Sequence, residues 1–183
     1  MNEPEPTKKK LRAKTYLEIG AGEKAAMHLM PKIRRGDKYV TIDMMPLDSS
    51  NRAKVNVRGV KNLSMSADAL SIPLRNNSVD HVISRNMLSD PGFPNIYASD
   101  KFRDLSFRQA LEKIEAELHR VTRKGASITF HEHYTPEVFE LPLEKSRRRH
   151  VLEVFGRRWI IGRDDFSKLP GERKGEVIKL FKK

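Results

Sequence analysis

Short apolar runs recur along the chain, and each one is followed by glycine, proline or polar residues. Five of these runs are short enough to be buried strands, and they predict strands at about residues 15–19, 38–43, 62–68, 79–84 and 126–130. Apolar residues at helical spacing predict a helix that begins at Phe107 and ends at Val121. Strands that alternate with helices predict an α/β fold with a Rossmann-like, mostly parallel sheet and helices on both faces.

Weaker patterns extend this arrangement. They predict two more helices, at about residues 23–33 and 136–155, and two closing strands, at about residues 159–161 and 176–181. Residues 85–104 contain two prolines and a glycine and predict a long loop, and long loops in compact domains are often active-site covers. We expect residues 1–14 to be a disordered basic segment and residues 15–183 to form a single domain.

The composition excludes several classes of protein. With 183 residues, the chain has the size of one ordinary domain. No apolar run approaches the roughly 18 residues that a membrane-spanning helix needs, and the N-terminus lacks the apolar core of a secretory signal. Cysteine is absent, which excludes disulfides and thiolate metal sites and fits a cytoplasmic location.

Positive charge is concentrated at the two ends of the chain. Residues 1–14 hold five Lys/Arg and two acids, a net charge of +3, and residues 144–183 hold thirteen and six, a net charge of +7. Residues 15–143 contribute only +2 to the total of +12. Basic ends are expected of a chain that binds RNA or DNA. A solvated, solubilising surface has the same composition, so both interpretations stay open.

The segment Thr15-Tyr-Leu-Glu-Ile-Gly-Ala-Gly22 carries the clearest functional signal. It predicts a buried strand that ends in a glycine turn, with the carboxylate of Glu18 just before the turn. Polar residues also follow the next strands, at Asp43, Asp68 and Ser84. Because ligands of open parallel sheets bind at the carboxyl ends of the strands, we expect these side chains to line one cleft.

Two cofactors fit a glycine turn of this kind. The turn satisfies the dinucleotide pattern G-x-G-x-x-A, and Asp43 lies where a ribose-binding acid belongs. A dinucleotide, however, would place its anionic pyrophosphate next to Glu18 and Glu23. S-adenosylmethionine (SAM) carries no phosphate, and its ammonium and sulfonium groups are cationic. Its ammonium, its ribose hydroxyls and its adenine amine match Glu18, Asp43 and Asp68 in turn, so we predict SAM.

These motifs resemble those of the class I SAM-dependent methyltransferases, in particular the methyltransferase-11-like group. The likeness covers about residues 15–134, and the segments that carry it are Leu17–Gly22, Thr41–Asp43, Ser66–Ser84 and His119–Gly125. The resemblance implies the family's fold, with an antiparallel strand at the C-terminal end of the sheet. It also implies the family's activity, which is the transfer of a methyl group from SAM.

The resemblance assigns roles to individual residues. It implies that Asp43 holds the ribose hydroxyls of SAM and that Met44 packs on the adenine. Arg85 would lie by the methionine part of SAM or by the reacting methyl group. The predicted cofactor-binding residues, in chain order, are Glu18, Gly20, Ala21, Gly22, Asp43, Met44, Asp68, Ala69 and Ser84.

Candidate catalytic residues follow the fourth and fifth strands. Methyl transfer from a sulfonium is an in-line displacement with a good leaving group, so the enzyme mainly aligns the acceptor. A general base is optional and adds about 10²–10⁴-fold where it is used. The predicted catalytic residues are Arg85, Asn86, His131 and His133. His131 and His133 share a strand face, but two histidines and an acid are a weak metal signal, so no metal is predicted.

No motif in the chain identifies the methyl acceptor, and three hypotheses follow. The first is a small molecule, for which residues 86–103 or 135–155 would close the site against water. The second is RNA, DNA or a nucleic-acid-associated protein, which the basic ends favour. The third is a catalytically silent SAM-binding module, suggested by Lys24, which stands where the family often has a third glycine. The sequence indicates no oligomeric state.

Overall fold

The computed structural model describes residues 12–21, 32–44, 59–85, 87–88, 105–133, 145–162 and 175–183. Within these ranges the chain forms a seven-stranded sheet and two helices. The strands are β1 (Thr15–Ile19), β2 (Lys38–Asp43), β3 (Lys61–Ser66), β4 (Val79–Arg85), β5 (Thr122–His133), β6 (Trp159–Ile161) and β7 (Gly175–Lys182). The helices are α1 (Phe107–Val121) and α2 (Lys145–Phe155).

The strands follow the order β3-β2-β1-β4-β5-β7-β6 across the sheet. The neighbours among β1 to β5 are parallel. β7 pairs antiparallel with both β5 and β6, so it runs against the other described strands. The prediction of a mostly parallel α/β sheet with an antiparallel C-terminal strand is confirmed.

Helix α1 has the bounds that its apolar spacing predicts. Its N-terminus is closed by a capping box, in which the Ser106 hydroxyl accepts the backbone N–H of Gln109 and the Gln109 side chain accepts the N–H of Ser106. Helix α2 lies within the predicted range and packs against α1. The helix predicted over 23–33 falls largely outside the described residues.

Alternation along the strands divides the sheet into two faces. Apolar side chains occupy one face and form the core with the helices, as in the edge-to-face contact of Phe130 with Phe155, whose ring centroids lie 5.4 Å apart. We call the opposite face the polar face. Its residues on β1, β2, β4 and β5 include Tyr16, Glu18, Tyr39, Thr41, His81, Arg85, Ser127 and His131.

Strand β5 is longer than the predicted run over 126–130. Helix α1 ends at Val121, and Thr122 caps it by donating its hydroxyl to the carbonyl of Leu118 at 2.6 Å. Val79 pairs with Thr122, and the next pair is His81 with Ser127. Between these two pairs β5 advances by five residues and β4 by two, so β5 has three extra residues. Gly125, with φ +74°, lies in this bulge, where a left-handed backbone favours glycine.

The segment before β1 is fastened to the sheet by Asp80. This carboxylate accepts the backbone N–H of Thr15 at 2.8 Å, and it pairs with Arg12 and with Arg123. Burial alone would raise the pKa of Asp80, but these donors outweigh it and hold the pKa below its usual value. Residues 12–14 therefore lie against the sheet, and the predicted boundary between a disordered segment and the domain stays a prediction.

Candidate active site

The carboxyl ends of β1, β2, β3 and β4 lie next to one another, on what we call the carboxyl side of the sheet. Ile19 pairs with Ser84, Asp43 with Ser66, and Arg85 with His131. The predicted residues that the structure brings to this side are Glu18, Gly20, Ala21, Asp43, Met44, Asp68, Ala69, Ser84, Arg85 and His131. Gly22, Asn86 and the side chain of His133 lie outside the described residues.

Glu18 is fully buried on the polar face and accepts hydrogen bonds through both carboxylate oxygens. The hydroxyl of Tyr39 donates to Oε2 at 2.5 Å, and the guanidinium of Arg85 contacts Oε1 through Nε at 3.2 Å and through Nη2 at 3.1 Å. Burial and the charge of Glu18 raise the pKa of Tyr39 far above its usual value. Tyr39 is therefore a neutral donor, and Arg85 supplies a positive charge to the buried carboxylate.

Arg85 also holds the glycine turn. Its Nη2 donates to the carbonyl of Ala21 at 3.0 Å, while the N–H of Gly20 donates to the carbonyl of Ile42 at 3.0 Å. Gly20 has a φ of +69°, which a side chain would strain. The turn is thus fixed by β2 on one side and by the end of β4 on the other. A direct contact between Glu18 and a ligand stays a prediction.

The ends of β2 and β3 form a compact corner. The N–H of Ala67 donates to the carbonyl of Asp43 at 2.9 Å. Asp68 accepts the N–H of Leu70 through Oδ1 at 2.8 Å and so caps its own turn, as short acidic side chains often do. Ala69 is buried in the core, and Met44 packs against the same core. Asp43 and Met44 are half-buried on the carboxyl side.

Ser84 and Arg85 point to opposite faces, although the sequence groups them together. Ser84 is fully buried, and its hydroxyl has no hydrogen-bond partner in the described part of the chain. The hydroxyl of Thr41, on the polar face beside Glu18, is also buried and also has no hydrogen-bond partner among the described residues. An unsatisfied buried hydroxyl costs about 1–3 kcal/mol, so each of these sites favours an additional polar group.

Two histidines on the polar face lie at different depths. His131 is 7% exposed and is the register partner of Arg85 on the carboxyl side. His81 lies four residues before Arg85, and its ring contacts Lys14 Nζ at 3.2 Å and Ser127 Oγ at 2.8 Å. Burial and the charge of Lys14 lower the pKa of His81, which favours the neutral form of this ring. Across the described ranges no group of three His, Asp or Glu side chains forms a metal site.

Comparison with known proteins identifies the family. The family model of a methyltransferase domain matches residues 17–130 of the chain. The chain belongs to this methyltransferase family. None of the curated proteins matches the methyltransferase in sequence.

Solved structures agree with the fold. A SAM-dependent methyltransferase of Methanosarcina mazei is 16% identical, with 94% of each chain covered and a TM-score of 0.57. One from Aquifex aeolicus is 16% identical over 92% of this chain and 81% of that chain, with a TM-score of 0.59. The geranyl diphosphate C-methyltransferase of Streptomyces coelicolor is 14% identical over 93% and 71%, with a TM-score of 0.55. At these identities the likeness concerns the fold.

The predicted cofactor, SAM, is that of the family, and the carboxyl side fits it. The carboxylate of Asp43 suits the hydroxyls of a ribose, and the buried hydroxyl of Ser84 has room for one more hydrogen bond. The charge argument against a dinucleotide is weaker than the sequence suggests, because Arg85 neutralises Glu18. The family match, rather than the charge of the turn, decides the cofactor.

Outside the sheet, the described helices include none long and apolar enough to cross a membrane.

Tyr39 and the Glu18–Arg85 pair are the parts of the site that sequence reasoning missed. Arg85 follows Glu18 by 67 residues, and their contact depends on the register of β1 with β4. The signal available in the sequence was the alternation of residues along each strand, which places Glu18, Tyr39 and Arg85 on the same face. Using that signal requires the register of β1 with β2 and β4.

We expect Arg85→Gln to lower the free energy of unfolding by about 2–3 kcal/mol, because it removes the guanidinium that pairs with the buried carboxylate of Glu18. The value lies below the roughly 3–5 kcal/mol of a fully buried pair, since Arg85 is partly exposed. Glu18→Gln with Arg85→Gln should be at least about 1 kcal/mol more stable than Arg85→Gln alone. Urea unfolding followed by the fluorescence of Trp159, the single tryptophan, measures both. A double variant no more stable than the single one would refute the pairing.

Proposed function

We propose that this methyltransferase transfers the methyl group of SAM to a small-molecule acceptor bound at the carboxyl side of the sheet. The observation that carries the proposal is the convergence of the Glu18–Arg85 pair, Asp43 and Ser84 on that side in a chain of this family. The cofactor supplies an electrophilic methyl group on a cationic sulfur. The remaining chemistry is the alignment of the acceptor and the exclusion of water.

The residues of the carboxyl side divide the binding of the cofactor among them. Asp43 is proposed to accept the ribose hydroxyls, with Met44 against the adenine. Asp68 and Ala69 are proposed to line the adenine side. The glycine turn and Ser84 would hold the methionine part, with Glu18 acting through Arg85. The proposed cofactor-binding residues are, from β1 to β4, Glu18, Gly20, Ala21, Gly22, Asp43, Met44, Asp68, Ala69 and Ser84.

Residues at the carboxyl ends of β4 and β5 are proposed to align the acceptor. Arg85 and His131 are register partners on one face, which supports a shared role for them next to the reacting methyl group. Asn86 and His133 are proposed to belong to the same group because Asn86 directly follows β4 and His133 is the last residue of β5. A general base among the histidines would remove a proton from an oxygen or nitrogen acceptor.

Charge favours a small acceptor over a nucleic acid at this side. Among the described residues at the carboxyl ends of β1 to β5, the only lysine or arginine is Arg85, and Glu18 already pairs with it. A phosphate backbone would therefore meet mainly carboxylates there. The structurally similar geranyl diphosphate C-methyltransferase is consistent with a small acceptor. A cytoplasmic location stays a prediction from the absence of cysteine.

Two alternatives remain. A methyltransferase acting on RNA, DNA or a nucleic-acid-associated protein is favoured by the net charge of +12. A catalytically silent SAM-binding module is suggested by Lys24 in the glycine-turn segment. The three functions differ in what becomes methylated, so one labelling experiment separates them.

Asp43→Ala should abolish saturable binding of S-adenosylhomocysteine, because it removes the acceptor proposed for the ribose hydroxyls. Isothermal titration calorimetry measures this. Lys61→Ala is the control. Lys61 is the first residue of β3, at the opposite end of the strands from Asp43, so this substitution should leave the affinity unchanged. Binding of NAD without binding of S-adenosylhomocysteine would refute the cofactor assignment.

Ser84→Ala should stabilise the cofactor-free protein by about 1 kcal/mol or more, because it removes an unsatisfied buried hydroxyl. The same change should weaken binding of S-adenosylhomocysteine, because that hydroxyl is proposed to serve the cofactor. Thr41→Val is the control: it should also stabilise the protein but leave the affinity unchanged. Thermal unfolding and calorimetry measure the two effects, and equal affinities for wild type and Ser84→Ala would remove Ser84 from the site.

Incubation with SAM labelled in its methyl group should transfer label to a metabolite fraction below about 1 kDa, and not to RNA, DNA or protein fractions of the same extract. Asp43→Ala is the negative control for every fraction. Label in nucleic acid or protein would replace the proposed acceptor with the second hypothesis. Binding of the cofactor with no labelled product in any fraction would favour the silent module.

A further inference from the structure

The amino side of the sheet, where the parallel strands begin, carries a dense group of basic residues. They precede or begin β1, β2, β3 and β5, and we call them the basic cluster: Arg12, Lys14, Arg34, Arg35, Lys38, Lys61, Arg123 and Lys124. The acids among them are Asp37 and Asp80. Eight basic residues against two acids give a formal net charge of +6, which is half the net charge of the whole chain.

Neither acid compensates the exposed part of the cluster. Asp80 is taken up by Arg12 and Arg123. Asp37 is buried and accepts backbone N–H groups, those of Lys14 and Arg34, each at 2.8 Å. The remaining exposed side chains form no ion pair within the described ranges, and they are Arg34, Arg35, Lys38, Lys61 and Lys124.

The register places like charges opposite each other. Lys38 and Lys61 are direct partners in the ladder of β2 with β3, and the N–H of Lys38 donates to the carbonyl of Lys14. Like charges at facing positions of a sheet are destabilising. No acid among the described residues forms an ion pair with either lysine, so a ligand of opposite charge would relieve their repulsion.

The C-terminal end of the chain reaches the same side. β7 is antiparallel, so it ends at the amino side with Lys182 and Lys183, and the ammonium of Lys183 lies 3.4 Å from the carbonyl of Arg157. Arg12 and Lys14, before β1, and Lys182 and Lys183, at the end of β7, are far apart along the chain, but all four lie on the amino side of the sheet. The sequence shows both charges without showing that they converge.

The arginines of the helical surface behave differently. Arg108 contacts Glu112 at 3.3 Å, and Arg149 contacts Glu153 at 2.8 Å. Each of these helical positions thus has an acid as a neighbour. The positive potential is therefore expected to be strongest over the amino side, where the exposed lysines and arginines are not balanced.

We propose that the basic cluster binds the phosphodiester backbone of RNA or DNA, at a site separate from the carboxyl side. Strands of five to seven residues separate the two sides, which at about 3.3 Å per residue is roughly 16–23 Å. A nucleic acid bound there docks the protein and leaves the carboxyl side open. Five strands span roughly 19 Å, the length of about six phosphates of one strand.

A nucleic acid fits the cluster better than a protein or a membrane does. Protein interfaces and membrane-bound surfaces contain exposed apolar side chains at their centre. The exposed large apolar residues of the described chain lie on β3, at one edge of the sheet, and on β7 and β6, at the other, and none of them belongs to the basic cluster: they are Leu63, Ile160, Ile161 and Phe181. A surface of charges without an apolar centre suits a polyanion whose charges are regularly spaced, as the phosphates of a nucleic acid are.

Fluorescence anisotropy with 20-nucleotide RNA and DNA oligomers, at several salt concentrations, tests the proposal. The full chain should bind at least one oligomer with a steep salt dependence, and Arg34→Gln/Lys38→Gln/Lys61→Gln should bind it more weakly. Loss of three phosphate contacts should reduce the slope of log K against log salt by about 2–3. The matched control, Arg108→Gln/Lys113→Gln/Arg149→Gln, removes the same charge from the helical surface and should keep most of the affinity.

Three results would overturn the proposal: no binding of either oligomer at low salt, an equal loss in both triple variants, or equal affinity for polyglutamate of the same charge. Preference for RNA over DNA, or the reverse, would identify the source of the backbone. The variant Arg34→Gln/Lys38→Gln/Lys61→Gln should bind S-adenosylhomocysteine as the wild type does, and its thermal stability should equal or exceed that of the wild type, because the facing charges of Lys38 and Lys61 are removed. Cofactor binding and oligomer binding therefore fail independently, which keeps this proposal distinct from the proposed function.

Discussion

The site depends on one buried charge. Glu18 lies in the strand that leads to the glycine turn, where water cannot solvate its carboxylate. A buried carboxylate is tolerated only when donors surround it, and here the donors come from β2 and β4, as Tyr39 and Arg85. Because Arg85 also binds the carbonyl of Ala21, the need to compensate Glu18 fixes the position of the turn itself. The position of the described part of the glycine turn is in this sense a consequence of electrostatics inside the sheet.

The division of the sheet into an apolar and a polar face explains how a small domain combines a core with a polar site. The apolar face carries the helices and the ring contacts around Phe155. The polar face leaves room for carboxylate, guanidinium and imidazole groups. Consecutive residues of β4 show the separation most clearly, since Ser84 belongs to one face and Arg85 to the other.

Local features of the fold were predictable, and features that depend on register were not. The bounds of α1 follow from apolar spacing and from the cap at Ser106, which are both local. The length of β5 did not follow, because its bulge depends on pairing with β4 around Gly125. The acids of the carboxyl side were predictable from strand ends, but the pairing of Glu18 with Arg85 required two distant segments to be aligned. The basic residues of the chain ends were visible in the sequence, but the placement of Arg12, Lys14, Lys182 and Lys183 on one side of the sheet was not.

The place of β7 has a consequence for the order in which the protein is made. This strand comes after all the other described strands in the chain, yet it lies inside the sheet, between β5 and β6. Until it has left the ribosome, the outer backbone of β5 has no partner and β6 has nothing to pair with. An unpaired strand of this kind is a common starting point for aggregation. A ribosome that stalls before residue 175 would therefore release a chain that lacks the strand joining β5 to β6.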